Sequence, residues 1–239
     1  MWLLNNKVLV KESGILEGFC DCHCHLLPGV DDGVKEMKES MQILEKWDAM
    51  GVKEVWLTPH IMEDMPNKTA DLKGCFEAMN AQFEGALKLH LAAENMLDNL
   101  FAERIATDDF LPIGNNGQRL LIETSYYNPP MDMARTIDLI KGHGYTPILA
   151  HPERYQYMNI ADYKRWTSKE VKLQLNVPSL VGAYGPEVQA KAKMLMDKGM
   201  YDYCGTDTHS KRFVEYFLNS KISKKTVKEV NRIVENMEL

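Results

Sequence analysis

Two histidines one residue apart, His23 and His25, stand at the end of the short segment GFCDCHCH. Residues i and i+2 of a β-strand share a face, so the pair aims two imidazoles at one point, an arrangement suited to a divalent metal ion. Further metal-competent side chains end later apolar segments: His60 after KEVWLTP, Glu94 after KLHLAA, Glu123 after RLLI, His151 after YTPILA, and Asp207 with His209 after YDYCGT. Asp32, in the loop after the first segment, is a ninth candidate. Five of the seven histidines fall at these positions, leaving only His90 and His143, a concentration that core packing does not explain. Glu94 and Glu123 close apolar runs, where an unpaired carboxylate is costly unless a cation or hydrogen bonds satisfy it. Nine candidates exceed the roughly four to six ligands that one transition ion takes, so two or three ions are expected. Imidazole and carboxylate donors without thiolate suit zinc, manganese or iron.

The elements that must carry these residues alternate between short β-rich runs and longer stretches of helical periodicity. Strands are expected at 19–25, 53–58, 88–94, 119–124, 145–150, 172–177 and 201–206. Helices are expected near 37–50, 70–86, 98–106, 131–143, 160–167, 187–198 and 224–236. Seven strand–helix alternations imply a parallel sheet, which right-handed crossovers can close into a barrel. In such a barrel the chemistry lies at the carboxyl ends of the strands, where six of the seven expected strands deliver a candidate ligand. The cysteines of the first strand, Cys20, Cys22 and Cys24, are expected on the face opposite His23 and His25, which argues against a mixed Cys/His zinc knuckle. The lysines of KISKKTVKEV read as the solvated face of the last helix, and the methionine-rich stripes as core.

At 239 residues with no linker or repeat, the chain is expected to form one domain from residue 19 onward, with residues 1–18 as a loosely held N-terminal arm. A net charge of -6 disfavours nucleic acid as partner. The opening MWLLNN lacks the features of a leader, and no apolar run is long enough for membrane insertion, so a cytoplasmic protein is expected. Five cysteines make no disulfide framework, and none has an arginine six residues on, which excludes the thiol-based phosphatase loop. No glycine-rich phosphate loop is present either.

The segments DCHCHLLPGVDDG, TPH at 58–60, AHPERY at 150–155, LNVPSLVG at 175–182 and GTDTH at 205–209 resemble the polymerase and histidinol phosphatase superfamily. Within it they are most similar to the bacterial metal-dependent tyrosine-protein phosphatases of capsular polysaccharide synthesis, the CpsB/YwqE type. The resemblance spans residues 19 to about 210 and implies a distorted (β/α)7 barrel, TIM-like, with a trinuclear site. It further implies that His23, His25, Glu94 and Asp207 hold one ion, Glu94 with Glu123 and His151 a second, and Asp32, His60 and His209 a third. Manganese is the expected metal, with iron or zinc as alternatives.

Two departures touch the substrate side: LAAENM stands where relatives carry polar and basic neighbours of the glutamate, and only Lys211 and Arg212 stand near a family arginine after the DxH pair. The implied chemistry is attack by a metal-activated hydroxide on a phosphotyrosine, with no protein nucleophile. Arg154 is a candidate for binding a phosphoryl oxygen bidentately, weighed against an ion pair with Glu153 or a neighbouring acid, and His209 a candidate proton donor to the leaving group. The implied partner is the phosphotyrosine-containing tail of a capsule or exopolysaccharide kinase. The alternatives are a small-molecule phosphomonoesterase such as a histidinol-phosphate phosphatase, a nuclease, and a non-catalytic phosphotyrosine-binding regulator.

Overall fold

The computed structural model describes residues 7–239. Nine of its strands are parallel and form two sheets. The first contains β2 (Cys20–Cys24), β3 (Glu54–Leu57) and β5 (Lys88–Leu91), in that order. The second runs β10 (Tyr203–Gly205), β9 (Lys172–Asn176), β8 (Thr146–Ala150), β7 (Arg119–Glu123), β6 (Glu94–Met96) and β4 (His60–Ile61). Two of the expected seven strands are thus broken: β3 resumes as β4 after Thr58 and Pro59, and β5 resumes as β6 after Ala92 and Ala93. Proline has no ladder donor, which accounts for the first break. The free edges meet at one point, where the His25 amide donates to Thr208 O at 2.9 Å and the Asp207 amide to His23 O at 2.7 Å.

Each parallel strand needs a crossover, and helices supply most of them. They are α1 (Met37–Ala49), α2 (Thr69–Asn80), α3 (Asn99–Thr107), α4 (Met133–Gly142), α5 (Ile160–Ser168), α6 (Pro186–Asp197), α7 (Lys211–Asn219) and α8 (Lys224–Asn236). α2 stops six residues short of the expected end, and α7, with β11 (Lys221–Ser223), fills a stretch for which no element was expected. Asp98, Asn159 and Ser210 cap α3, α5 and α7 by accepting backbone N–H groups. α8 buries Val227, Val230 and Ile233 and exposes Lys224, Lys225 and Lys228, as its period predicts. No helix among the described residues is long and apolar enough to cross a membrane.

Two expectations are corrected. Residues 7–18 are not a loose arm: β1 (Lys7–Leu9) pairs antiparallel with β11, and Val10, Ile15 and Leu16 lie in the core. Residues 1–6 of that expected arm lie outside the described residues. The three cysteines also do not share a face. Cys20 and Cys22 pack with Trp56, Ala92, Ile148 and Tyr203, whereas Cys24 joins the larger cluster that includes Val55 and Leu57. The cause is a register shift between Asp21 and Cys24, since one extra residue in a strand reverses the alternation beyond it. His23 and His25 still share one centre, their Nε2 atoms 3.0 Å apart, while Cys22 packs with Trp56 and Tyr203.

Candidate metal centre

All nine candidate ligands converge at the carboxyl ends of the parallel strands. His23 comes from β2 and His25 from the residue after it; His60 begins β4, Glu94 begins β6 and Glu123 ends β7, while His151 follows β8 and Asp207 and His209 follow β10. His23, His25, Glu94, Glu123, His151 and Asp207 are buried, and His209 and Asp32 lie on the rim with side chains 30% and 60% exposed. Their ligand atoms fall into overlapping groups: His25, Asp32, His60 and His209; His23, His25 and Asp207; His23, Glu94 and His151; and His60, Glu94 and Glu123. No cysteine enters a group among the described residues.

The backbone strains to make this happen. His151 and Asp207 adopt left-handed conformations, with φ of 33° and 51°, which β-carbon crowding normally disfavours. Gly205 lets β10 approach β2, because a Cβ there would stand 2.6 Å from the Cβ of His23. Gly33 is equally constrained: a Cβ would lie 2.2 Å from His25 O, so only glycine lets the DDG loop fold against the histidine.

Hydrogen bonds orient the two strand histidines. Nδ1 of His23 faces Gln174 Oε1 at 3.0 Å, and Nδ1 of His25 faces Asp31 Oδ2 at 2.8 Å. With both Nδ1 atoms donating to acceptors, both Nε2 atoms point inward, 3.0 Å apart. Glu94 Oε2 lies 3.1 and 3.2 Å from them, and Asp207 Oδ1 lies 3.4 and 3.3 Å away. Four acceptor atoms converging in a buried space require a cation or protons between them. Without a metal ion the protons must serve. Burial opposes charge on His23, yet Glu94 and Asp207 outweigh it and push its pKa up to about 9. His25 is likewise raised against burial, through its bonds to Asp207, Asp31 and Glu94. Burial would raise Glu94 and Asp207, but the facing histidines hold both well below the usual carboxylate range.

The fit to metal ions is sharpest around His60. Its Nδ1 lies 3.0 Å from Glu123 Oε1 and 3.2 Å from Glu94 Oε2, yet all three buried atoms lack an aligned hydrogen bond. Native structures rarely leave such atoms unpaired without an ion or water to satisfy them. Glu94 reaches the remaining corner as well, with Oε1 2.9 Å from His151 Nε2, and Glu123 Oε2 lies 3.8 Å from the same nitrogen. The donor set, imidazole and carboxylate with no sulfur, suits hard to borderline divalent ions.

Arg154 does not pair with Glu153. Its Nη1 donates to Asp207 Oδ2 at 2.6 Å, and its guanidinium is held between the rings of Tyr126 and Tyr184, 4.4 Å from each centroid. Asn176 Nδ2 and the Tyr184 hydroxyl also reach Asp207 Oδ2, at 3.0 and 3.4 Å. Glu153 instead accepts from the Asn176 amide and the Tyr201 hydroxyl, both at 3.0 Å. Lys211 is turned toward α1, where its Nζ donates to Gln42. His90 stacks on Trp56 and pairs with Glu54, away from the centre.

Several supporting residues were not singled out from sequence: Asp31, Gln174, Asn176, Tyr126 and Tyr184. β9 supplies no ligand but places Gln174 against His23 and the His151 amide, and Asn176 against Asp207. A polar residue on a strand otherwise apolar, as in KLQLN, was the available signal.

The sequence signature of the CpsB/CapC family of capsular polysaccharide synthesis proteins matches residues 19–232. The tyrosine-protein phosphatase YwqE of Bacillus subtilis is 24% identical over 196 residues, covering 80% of this chain and 77% of YwqE. The putative tyrosine-protein phosphatase CapC of Staphylococcus aureus is 26% identical over 200 residues, with 80% and 76% covered. Among solved structures, one from a study of YwqE from Bacillus subtilis and CpsB from Streptococcus pneumoniae, described as unique metal-dependent tyrosine phosphatases, superposes with a TM-score of 0.76. It is 21% identical, and 91% of this chain and 86% of that chain are covered. By the span of that signature, which takes in every candidate ligand, the chain belongs to the CpsB/CapC family of capsular polysaccharide synthesis.

Proposed function

We propose that this protein is a metal-dependent protein-tyrosine phosphatase that acts on the phosphotyrosine tail of a capsule or exopolysaccharide kinase. The observation that carries the reading is the convergence of nine imidazole and carboxylate side chains, three of whose buried ligand atoms have no aligned hydrogen bond. It is supported by the relatives, which are named tyrosine-protein phosphatases. We also infer that the parallel strands close as a distorted (β/α)7 barrel. The hydrogen bonds between the β2 end and the segment after β10 support closure, as do the continuations of β3 into β4 and β5 into β6.

His23, His25, Glu94 and Asp207 would hold one ion, Glu94, Glu123 and His151 a second, and His60, His209 and Asp32 a third. Two to three ions, manganese first and iron or zinc as alternatives, suit this donor set. When bound, such ions supply Lewis-acid polarisation of a phosphoryl group and a nucleophilic hydroxide near neutral pH. The chain's own groups do the positioning. Arg154 presents the guanidinium edge not used by Asp207, its plane fixed by Tyr126 and Tyr184, and donates to a phosphoryl oxygen. His209 faces Asp207 O with Nδ1 at 2.8 Å, which leaves Nε2 as a lone pair toward Asp32 and favours a ligand over a proton donor. A phenolate leaving group, with a free pKa of about 10, needs little protonation. Trp56, Ala92, Ile148 and Tyr203 form a buried apolar cluster on or beside the parallel strands, and low-dielectric surroundings strengthen electrostatic contacts.

The deciding experiment compares kcat/KM of the manganese-loaded protein on a phosphotyrosyl peptide and on histidinol phosphate. Preference for the peptide is expected. A preference of about a hundredfold for histidinol phosphate would replace this reading, and peptide binding without hydrolysis of any phosphomonoester would make the protein a regulator.

A further inference from the structure

The DDG loop places two adjacent aspartates in opposite situations. Asp32 has a side chain 60% exposed and faces His60 and His209 at 3.5 and 3.4 Å. The side chain of Asp31 is fully buried and accepts three hydrogen bonds: from the Gly33 amide at Oδ1, 2.9 Å, and at Oδ2 from His25 Nδ1, 2.8 Å, and the His60 amide, 3.1 Å. Those three donors belong to three separate pieces of the centre, namely the end of β2, the loop that carries Asp32, and the start of β4. The loop is tied to the same histidine a second time, since the Val34 amide donates to His25 O at 3.0 Å.

We propose that Asp31 is a positioning residue of the metal centre: its carboxylate fixes His25 with Nδ1 protonated and Nε2 free, and holds His25, Asp32 and His60 in the mutual arrangement that binds one ion. The inference rests on the metal-centre reading given above. Its physical basis is a donor count. Both oxygens of Asp31 must accept, because every group facing them is an N–H donor or, for His25, is needed as one. Only a carboxylate meets that demand. In an amide of the same shape, the NH2 group would face either the Gly33 amide or the pair formed by His25 Nδ1 and the His60 amide, donor against donor in each case. A carboxylate behind an imidazole also makes the ring a stronger ligand than a neutral partner does. Gln174 behind His23 is neutral, so the two strand histidines are not equivalent. His25 is the stronger ligand of the two, and it is the member shared by the group containing Asp32, His60 and His209 and the group containing His23 and Asp207.

The test uses the full chain, stripped of metal and titrated with Mn2+ by calorimetry, with ions counted by mass spectrometry, in wild type and Asp31→Asn. Nitrogen NMR of the Zn2+-loaded wild type then reads the His25 tautomer directly. The expected results are an Nδ1-protonated His25 in the wild type and, in Asp31→Asn, at least one Mn2+ bound about 10- to 100-fold more weakly. Mn2+ binding by the wild type with equal number and affinity in Asp31→Asn would overturn the inference and leave the metal centre standing. No uptake of Mn2+ by the wild type would instead remove the metal centre itself. Should the variant not fold, the wild-type spectrum still decides, because a His25 protonated on Nε2 in the loaded protein contradicts the role assigned to Asp31.

Discussion

Replacing Glu94 by glutamine should dismantle most of the centre while leaving its shape intact. Glu94 is fully buried and lies 3.1 to 3.2 Å from His23, His25 and His60 through one oxygen and 2.9 Å from His151 through the other. It is the carboxylate common to two of the four ligand groups. A pair of unit charges about 4 Å apart interacts by about 4 kcal/mol at the effective dielectric suited to protein sites. A divalent ion doubles that figure, and the smaller desolvation of the neutral amide returns part of it. A net loss of about 4 kcal/mol corresponds to roughly a thousandfold weaker binding. Glu94→Gln should therefore retain fewer Mn2+ ions per chain after dialysis against micromolar metal, counted by mass spectrometry. Turnover of a phosphotyrosyl peptide should fall at least as far. A variant that keeps the wild-type ion count and binds Mn2+ within about threefold of wild type would refute the reasoning, because a shared carboxylate cannot be neutralised without consequence if it holds two cations.

Other expectations are separate from this one. Arg154→Lys keeps the charge but loses the planar fork between Tyr126 and Tyr184, so KM for the phosphotyrosyl peptide should rise about 10- to 100-fold, as expected for one charge-assisted contact of about 1.5–3 kcal/mol, with ion content unchanged; steady-state kinetics beside metal analysis checks it. Tyr127 and Met131, 66% and 93% exposed on the loop between β7 and α4, should matter only for extended substrates. Replacing both by alanine should lower kcat/KM on a peptide several-fold and leave p-nitrophenyl phosphate turnover unaltered. Burial raises Glu153 from 4.5 to about 7, so between those values the folded state binds more protons than the unfolded chain and stability falls as pH rises. The span is worth about 3 kcal/mol. Urea unfolding should find Glu153→Gln more stable than wild type above pH 7, with the advantage gone below about pH 4.5. Ile15→Ala should cost about 2–4 kcal/mol in the same assay, which a loose arm would not.

Much of the candidate centre is legible in the chain because most of its candidate ligands sit where β-rich runs end, and a run's end is a local property. Polar residues that close apolar strands announce themselves, and all nine candidates converge as their positions imply. The helices follow for the same reason, since a 3.6-residue period and its caps are written within ten to fifteen residues. What failed locally were the places where tertiary contact overrides pattern. Strict alternation put Cys24 on the same face as Cys20 and Cys22, but the bulge in β2 sends it to the other apolar cluster. The first eighteen residues carry no strong periodicity, yet β1 is fixed by β11, more than two hundred residues later.

The supporting residues divide along the same line. Asp31 and Asp32 are indistinguishable as neighbours in DDG, and only the fold turns one inward against His25 and leaves the other on the rim. Arg154 could have paired with Glu153 by proximity in sequence, but φ of 33° at His151 starts a tight turn that sends the two side chains to Asp207 and to Tyr201 instead. Residue types and their spacing therefore determine that metal ions can be bound and from which strand ends. Which nitrogen of each histidine faces the centre, and which side chain holds it there, depends on contacts that form only in the folded chain. A hydrogen bond is set by the positions of both partners, and sequence order specifies only one of them at a time.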